Sequence, residues 1–354
     1  MQNRHLPGRL SNPELTLSTD PRCDPRIAAA LEAFGDIFGG IVLPKKEASY
    51  EERLEYCQAL EDVGVLAHPI VAAAMPEFPT VTSRIETIKG VDGNDITLYI
   101  HESIEKQDAR PCIIHTHGGG MVFMTAADPG FVRWRKTLAA TGLLVIGVEF
   151  RNGAGRLGNH PFPAGLNDCS SALNWVNDRR EEFCISNIIL SGESGGGNLA
   201  ISTALKAKEE GNQEWVDGVY AMCPYISGAY EKPPAELLSL EENEGYSMSC
   251  HMMATLVKLY DPSGEYSCNP LAWPYQASVE ELRGLPPHIV SVNELDPLRD
   301  EGLEFYRRLQ KAGNSAVART VHGTHHAGDV SFPDLTPDTY QQTIDSLVGF
   351  ANSL

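Results

Sequence analysis

No stretch of this 354-residue chain approaches the ~18 consecutive apolar residues of a membrane span. Basic charge is also scarce: 28 Lys and Arg face 47 Asp and Glu, a formal charge of −19. The acidity is spread along the chain, which argues against nucleic acid or an anionic membrane as partner. Its ordinary consequence is solubility. There is no C-x-x-C pair and no other metal-ligand spacing among the eight cysteines, Cys23, Cys57, Cys112, Cys169, Cys184, Cys223, Cys250 and Cys268. They read as buried apolar fillers. Met1 to Leu17 is polar and broken by Pro7 and Pro13, so a signal peptide is not expected there. Reduced thiols in a cytoplasmic protein are the expectation. Low-complexity tracts and internal repeats are missing too.

What is there begins with two helix-like segments, Pro25 to Phe38 and Tyr50 to Ala74, separated by the breaker stretch Gly39 to Lys46. From Thr82 the pattern changes to short strands: Ile85 to Lys89 and Ile96 to His101 around the turn Asp92-Gly93-Asn94, then Cys112 to Thr116, Leu143 to Val148, Ile188 to Leu190, Val219 to Cys223, His288 to Val292 and Ala316 to Val321. Between them lie helix-length segments, Phe131 to Ala140, Ala164 to Arg179, Gly197 to Glu209 and Leu303 to Ala312, and a last one, Pro337 to Phe350, closes the chain. Such alternation predicts an α/β fold with a mostly parallel sheet and helices on both faces. One gap breaks the rhythm. Pro224 to Leu285 holds a predicted helix, Ser249 to Leu259, but no strand, and reads as an inserted lid packing with the N-terminal helices.

Gly192-Glu193-Ser194-Gly195-Gly196 has the G-x-S-x-G form, between the apolar strand Asn187 to Leu190 and the helical Asn198 to Ile201. Strand, turn and helix in that order expose a serine on a tight turn that only small neighbours tolerate. The helix N-terminus then faces any negative charge developing beside it. A glycine turn can instead cap a helix or cradle phosphate. His117-Gly118-Gly119-Gly120 follows the strand Cys112 to Thr116, and glycines there let backbone N–H groups point into a site. No G-x-G-x-x-G or Gly-Lys-Ser/Thr sequel supports a phosphate loop. Gly118, Gly119 and Gly195 are the expected oxyanion donors.

A serine nucleophile needs a base, and the base needs an orienting acid. Past the strand His288 to Val292 come Glu294, Asp296, Asp300, Glu301 and Glu304. Position favours Asp296, with Asp300 and Glu301 as charges that cap the next helix. Three histidines, His322, His325 and His326, end the last strand, and spacing alone does not choose among them. A metal site is the rival reading of that cluster. Adjacent side chains point in different directions and no matching ligand pair occurs elsewhere, so no metal or other cofactor is expected.

Together these motifs resemble the bacterial hormone-sensitive-lipase-like esterases, a branch of the α/β-hydrolases, from about Thr82 to His326. That family carries D-P-L-x-D-E, matched at Asp296 to Glu301, and G-x-x-H, matched at Gly323 to His326. The resemblance thus implies Ser194, Asp296 and His326 as catalytic residues, and an α/β-hydrolase fold with a helical cap. It places the cap in residues 1–75 and in an insertion, 225–275, with the catalytic domain in 76–224 and 276–354. Three departures stand out. Phe150-Arg151-Asn152-Gly153 replaces the family's tyrosine-arginine-leucine-alanine before Pro161 to Ala164, Glu193 stands where aspartate is usual, and Met121 where an aromatic is common. The implied activity is hydrolysis of short-chain acyl esters. Amide, carbamate or lactone hydrolysis would use the same residues, and a catalytically silent small-molecule receptor is the reading from another class. The expected partner is a small-molecule ester, with no nucleic acid or membrane; a homodimer is compatible with the pattern.

Overall fold

The computed structural model describes residues 6–34, 41–105 and 109–354. Its strands are β1 (Val81–Lys89), β2 (Asp95–Ser103), β3 (Arg110–Thr116), β4 (Leu144–Glu149), β5 (Ile185–Glu193), β6 (Gly218–Met222), β7 (His288–Asn293) and β8 (Ala316–Val321). They form one sheet in the order β1-β2-β4-β3-β5-β6-β7-β8. The first two pairings are antiparallel and the rest parallel. The helices are α1 (Pro25–Phe34), α2 (Tyr50–Ala73), α3 (Pro129–Ala140), α4 (Ala164–Asn177), α5 (Gly195–Glu209), α6 (Ser239–Glu242), α7 (Cys250–Tyr260), α8 (Val279–Leu282), α9 (Arg299–Lys311), α10 (Gly328–Ser331) and α11 (Pro337–Ser353). The expected end of the first helix, residues 35–38, lies outside the described residues.

Side chains of a strand alternate between faces, and the core divides accordingly. On β3, Cys112 and Ile114 face one apolar layer while Ile113 faces the other. Leu144, Ile146 and Val148 of β4 join the first layer and Val145 the second. Trp134 and Leu138 of α3 and Ile344 and Leu347 of α11 cover the second layer. Leu173 of α4, Leu199 of α5 and Phe305 of α9 cover the first. Burying each such side chain contributes ~1.5–3 kcal/mol, so the sheet's position between the layers is heavily determined. The expected parallel α/β architecture is what the chain adopts.

Two excursions sit above the strand ends. Helix α2 opens on a capping box, in which Ser49 Oγ accepts the Glu52 N–H and Glu52 Oε2 accepts the Ser49 N–H. Its Tyr56 and Leu60 share a core with Met253 and Leu256 of α7. Arg22 binds both Asp20 and Glu242, and the Tyr246 hydroxyl donates to Asp20 Oδ2 at 2.9 Å. Polar contacts and apolar packing thus join the N-terminal segment to residues 242–256. No helix among the described residues is long and apolar enough to cross a membrane.

Two expectations do not hold. Asp300 and Glu301 do stand in the first turn of α9, but they are not simple capping charges. Asp300 Oδ2 accepts the Ser239 N–H at 2.8 Å, and Glu301 Oε1 accepts the Ile226 N–H at 2.7 Å and the Tyr230 hydroxyl at 2.9 Å. Both carboxyls anchor the segment between β6 and β7. Nor are all the cysteines buried fillers: Cys184 and Cys268 are exposed, and Cys250 is half-buried.

Candidate active site

The C-terminal ends of β3, β5, β6, β7 and β8 meet at one edge of the sheet, and every predicted site residue lies there. Ser194 follows β5 with φ 56° and ψ −119°, a left-handed conformation that costs an L-residue roughly 1–3 kcal/mol. The surroundings hold it: its N–H donates to Met222 O at 2.9 Å, and its carbonyl accepts from Asn198 and Tyr225, both at 3.1 Å. The flanking glycines are required by close approach. A Cβ at Gly192 would stand 2.4 Å from Thr116 O, and one at Gly196 2.0 Å from the same atom.

The glycine loop after β3 winds through positive φ at Gly119 (94°), Gly120 (62°) and Met121 (61°). Gly118 departs from expectation. Its N–H donates to Glu193 Oε1 at 2.9 Å, so that hydrogen is already committed to a carboxylate. The N–H groups of Gly119, Gly120 and Gly195 have no acceptor among the described residues. Gly195 also lies so close to the loop that a Cβ there would meet Met121 N at 2.5 Å. Unengaged backbone N–H groups are therefore present at Gly119 and Gly195, two of the three expected oxyanion donors, and at Gly120, whereas that of Gly118 is taken by Glu193.

Glu193 is buried, and its second oxygen lies 3.0 Å from His115 Nε2. Burial pushes its carboxyl up, but His115, His117 and the Gly118 N–H outweigh that and hold it below the usual range. Burial pushes the neighbouring His117 imidazole down to about 3, and it stacks on Phe150 at 4.2 Å. The altered segment after Phe150 is well tied. Gly153 and Ala154 donate to Met121 O and Val122 O at 2.9 and 2.8 Å, and Asn152 Nδ2 donates to Met124 O at 2.6 Å. Glu61 of α2 accepts the N–H groups of Met124 and Arg156 at 2.9 and 2.7 Å. A carboxylate from the N-terminal segment thus clamps the glycine loop to the altered segment, which sequence reasoning missed. One acidic residue among the several on α2 gives no local sign that its partners lie elsewhere.

The turns after β7 and β8 place the candidates that spacing left open in different surroundings. Asp296, with 0% exposure, accepts the Leu298 N–H at Oδ1 (2.9 Å) and the His326 ring at Oδ2 (2.8 Å). Because a carboxylate only accepts, His326 Nδ1 carries the hydrogen and Nε2 is the free lone pair. The His326 side chain keeps 12% of its exposure. His325 is buried against Phe332 with its Nδ1 unpartnered, and burial pushes it down to about 4. His322 is 77% exposed beside Glu294. Only His326 has an aspartate behind it. Burial alone would lower the His326 imidazolium, but Asp296 and the adjoining Cys223 outweigh it and the net direction is strongly upward.

Cys223 is the other residue sequence reasoning passed over. It follows β6 with φ 35°, its N–H held by Ser291 O at 2.7 Å, and it comes next after Met222, the residue bonded to Ser194. Its Sγ, an Asp296 carboxylate oxygen and a His326 ring nitrogen all lie within 4.8 Å of one another.

Comparison with known proteins agrees with this fold. A family model described as alpha/beta hydrolase fold matches residues 113–328. A solved structure described as brefeldin A esterase, a bacterial homologue of human hormone sensitive lipase, is 43% identical with a TM-score of 0.91, covering 98% of each chain. Esterase Est22 is 36% identical with a TM-score of 0.83, covering 95% of this chain and 98% of its own. The arylesterase of Saccharolobus solfataricus is 27% identical over 273 residues, 75% of this chain and 83% of that protein.

Proposed function

The chain belongs to the α/β-hydrolase fold family and, within it, to the carboxylic ester hydrolases related to hormone-sensitive lipase; from that premise we propose that it cleaves soluble short-chain acyl esters through a Ser194–His326–Asp296 triad. The observation that carries this reading is the 2.8 Å bond between His326 Nδ1 and Asp296 Oδ2, set beside a serine on a glycine-flanked elbow.

In the proposed reaction His326 Nε2 takes the Ser194 hydroxyl proton as the oxygen attacks the ester carbonyl. The resulting oxyanion is held by the N–H groups of Gly119, Gly120 and Gly195. Such donors meet charge that exists only in the tetrahedral intermediate, and each contributes ~2.7–4 kcal/mol in comparable sites. His326 then gives its proton to the departing alcohol. Water attacks the acyl-Ser194 by the same route, and the acid leaves. Asp296 fixes the imidazole tautomer and stabilises the imidazolium in both halves. No step calls for a metal.

The N-terminal segment and the 225–275 insertion form the cap in this reading. The α7 side chain Leu256 stands over the glycine loop, since a Cβ on Gly120 would meet its Cδ1 at 2.9 Å. Eight unpaired cysteines support a reducing, cytoplasmic setting. The test is labelling by a serine-directed fluorophosphonate, together with rates on nitrophenyl butyrate and a butyryl anilide. Wild type should be labelled, Ser194→Ala should not, and the ester should be much the faster substrate. Undiminished labelling of Ser194→Ala, or a faster anilide, would overturn the reading.

A further inference from the structure

The proposed reaction uses Asp296 and His326 but leaves Cys223 without a role. Yet three donors of different chemistry, a thiol, a carboxylate oxygen and an imidazole nitrogen, converge there from the ends of β6, β7 and β8, all within 4.8 Å of one another. Tetrahedral zinc, with bonds of ~2.0–2.3 Å, sets its ligand atoms roughly 3.4 Å apart. Side-chain shifts of about an ångström at most would therefore close the set around an ion. The backbone that carries the thiol is held in place, because Cys223 sits in a left-handed conformation (φ 35°) with its N–H on Ser291 O.

We propose that Cys223, Asp296 and His326 form a binding site for a thiophilic divalent cation of the zinc class, and that occupancy shuts hydrolysis off. The second half of this proposal rests on His326 being the base. Charge favours the site: one thiolate and one carboxylate neutralise a divalent ion, so the occupied cluster is neutral where an unpaired buried charge would be costly. The ligand softness suits Zn²⁺, Cd²⁺ or Co²⁺ more than Mg²⁺ or Ca²⁺, which take oxygen-rich shells. The 12% exposure of the His326 side chain gives a route in. Binding is an exchange without redox change. The Cys223 proton leaves to solvent, the thiolate and an imidazole lone pair bind the ion, and the carboxylate supplies the third bond. A cation on Nε2 occupies the base atom itself. One on Nδ1 breaks the bond to Asp296 and places the hydrogen on Nε2. Either way His326 can no longer take the serine proton.

Two measurements test this. The first adds Co²⁺ to the Ser194→Ala protein, which reports binding without activity through a thiolate-to-cobalt charge-transfer band. The band should form there and be lost in Ser194→Ala/Cys223→Ser. Its survival in the double variant, or its absence from Ser194→Ala, would overturn the site. The second titrates Zn²⁺ against nitrophenyl butyrate hydrolysis, each rate taken relative to that protein's own metal-free rate. The half-inhibitory concentration should rise roughly tenfold or more in Cys223→Ser and Cys223→Ala. It should stay unchanged in Cys184→Ser/Cys268→Ser, which removes the two exposed thiols. Equal sensitivity in Cys223→Ser and wild type, or protection by the exposed-thiol variant alone, would overturn inhibition through this cluster. A cobalt band in Ser194→Ala with full zinc-saturated activity in wild type would uphold the metal site and overturn His326 as base.

Discussion

Glu193 accepts the backbone N–H of Gly118 at 2.9 Å, and this one bond connects the residue before the nucleophile to the loop that faces it. The His115 ring holds the other carboxylate oxygen at 3.0 Å, so Glu193 fixes the loop relative to Ser194. Its removal should misplace the oxyanion donors without disturbing the triad. Glu193→Ala is expected to lower kcat by roughly ten- to a hundredfold with little change in KM, a fraction of the ~2.7–4 kcal/mol that one lost donor costs. Glu193→Asp, shorter by one methylene, cannot span both partners and should fall between. Steady-state kinetics on nitrophenyl butyrate decide it, and an unaltered kcat in Glu193→Ala would remove this role.

The three histidines should separate sharply on substitution. Ser194→Ala and His326→Ala are expected to lose roughly ten-thousandfold or more in kcat while staying folded. His322→Ala, exposed, should keep nearly full activity. His325→Ala should keep its activity and lose stability, because a buried ring packed on Phe332 is deleted. Kinetics paired with thermal melts check both parts. An inactive His325→Ala beside an active His326→Ala would reverse the base assignment.

That assignment shows how far the sequence could be read. The elbow, the glycine loop and the strand-helix alternation were legible because each depends on residues adjacent in the chain: glycines that permit a close approach, apolar runs with a fixed period. The choice of His326 rested on family resemblance alone, since three histidines within five residues differ by burial and by what stands behind them. The Gly118 N–H was not free as expected because the residue that takes it, Glu193, sits at the end of the neighbouring strand β5 but far away in sequence. Glu61, Glu301 and Cys223 failed for a related reason. Each is a single polar or thiol side chain whose partners lie far away in sequence, and no periodic pattern marks such pairings.

The pH profile follows from the Asp296–His326 pair. The neutral imidazole is the active form, and its environment shifts the imidazolium upward. Activity should thus fall as pH drops through a point above the ordinary imidazole value of ~6.5. Asp296→Asn removes the carboxylate that does the raising and also frees the tautomer. Its residual activity should be lower by up to roughly ten-thousandfold, with the acid limb displaced to lower pH. The comparison is kcat/KM against pH for both proteins; an acid limb that does not move would show that Asp296 does not set it.

Glu301 supplies a stability prediction of definite sign. Burial raises its carboxyl to about 7, against the opposing hydrogen bonds from Ile226, Ser227 and Tyr230. The folded state then binds a proton that the unfolded state has already released between about pH 4.5 and 7. Through that window this group's contribution to stability declines as pH rises, by up to roughly 3 kcal/mol in total. Glu301→Gln is always neutral and can still accept the Ile226 N–H. Relative to wild type it should gain stability as pH rises from about 4.5 to about 7 and level off above that, as read by urea unfolding. A constant difference across that range would mean that Glu301 does not titrate there.

Acyl length is the property the cap should control, and Leu256 is where to test it. The expectation of short substrates begins with the surface: the chain carries −19, and of the acidic residues in 225–275, Glu231 and Glu241 are exposed while Glu242 binds Arg22 and Arg299, Glu236 accepts the Tyr275 hydroxyl and Glu244 accepts the Cys250 N–H. That arrangement offers no basic amphipathic face for an oil-water interface. Inside, Leu256 is buried and rests on Gly120, beside the proposed oxyanion donors. Each methylene that finds room adds ~0.8 kcal/mol of binding. Once the cavity is filled, overpacking reverses the gain. For wild type, kcat/KM should rise to about butyrate and then fall across a monodisperse nitrophenyl ester series. Leu256→Ala opens space over the loop and should carry the maximum to longer acyl chains, while costing ~2–5 kcal/mol of stability. An optimum at palmitate, or a jump in rate above the solubility limit of an emulsified triglyceride, would identify a lipase. An optimum that stays at the same chain length in Leu256→Ala would show that α7 does not bound the acyl pocket.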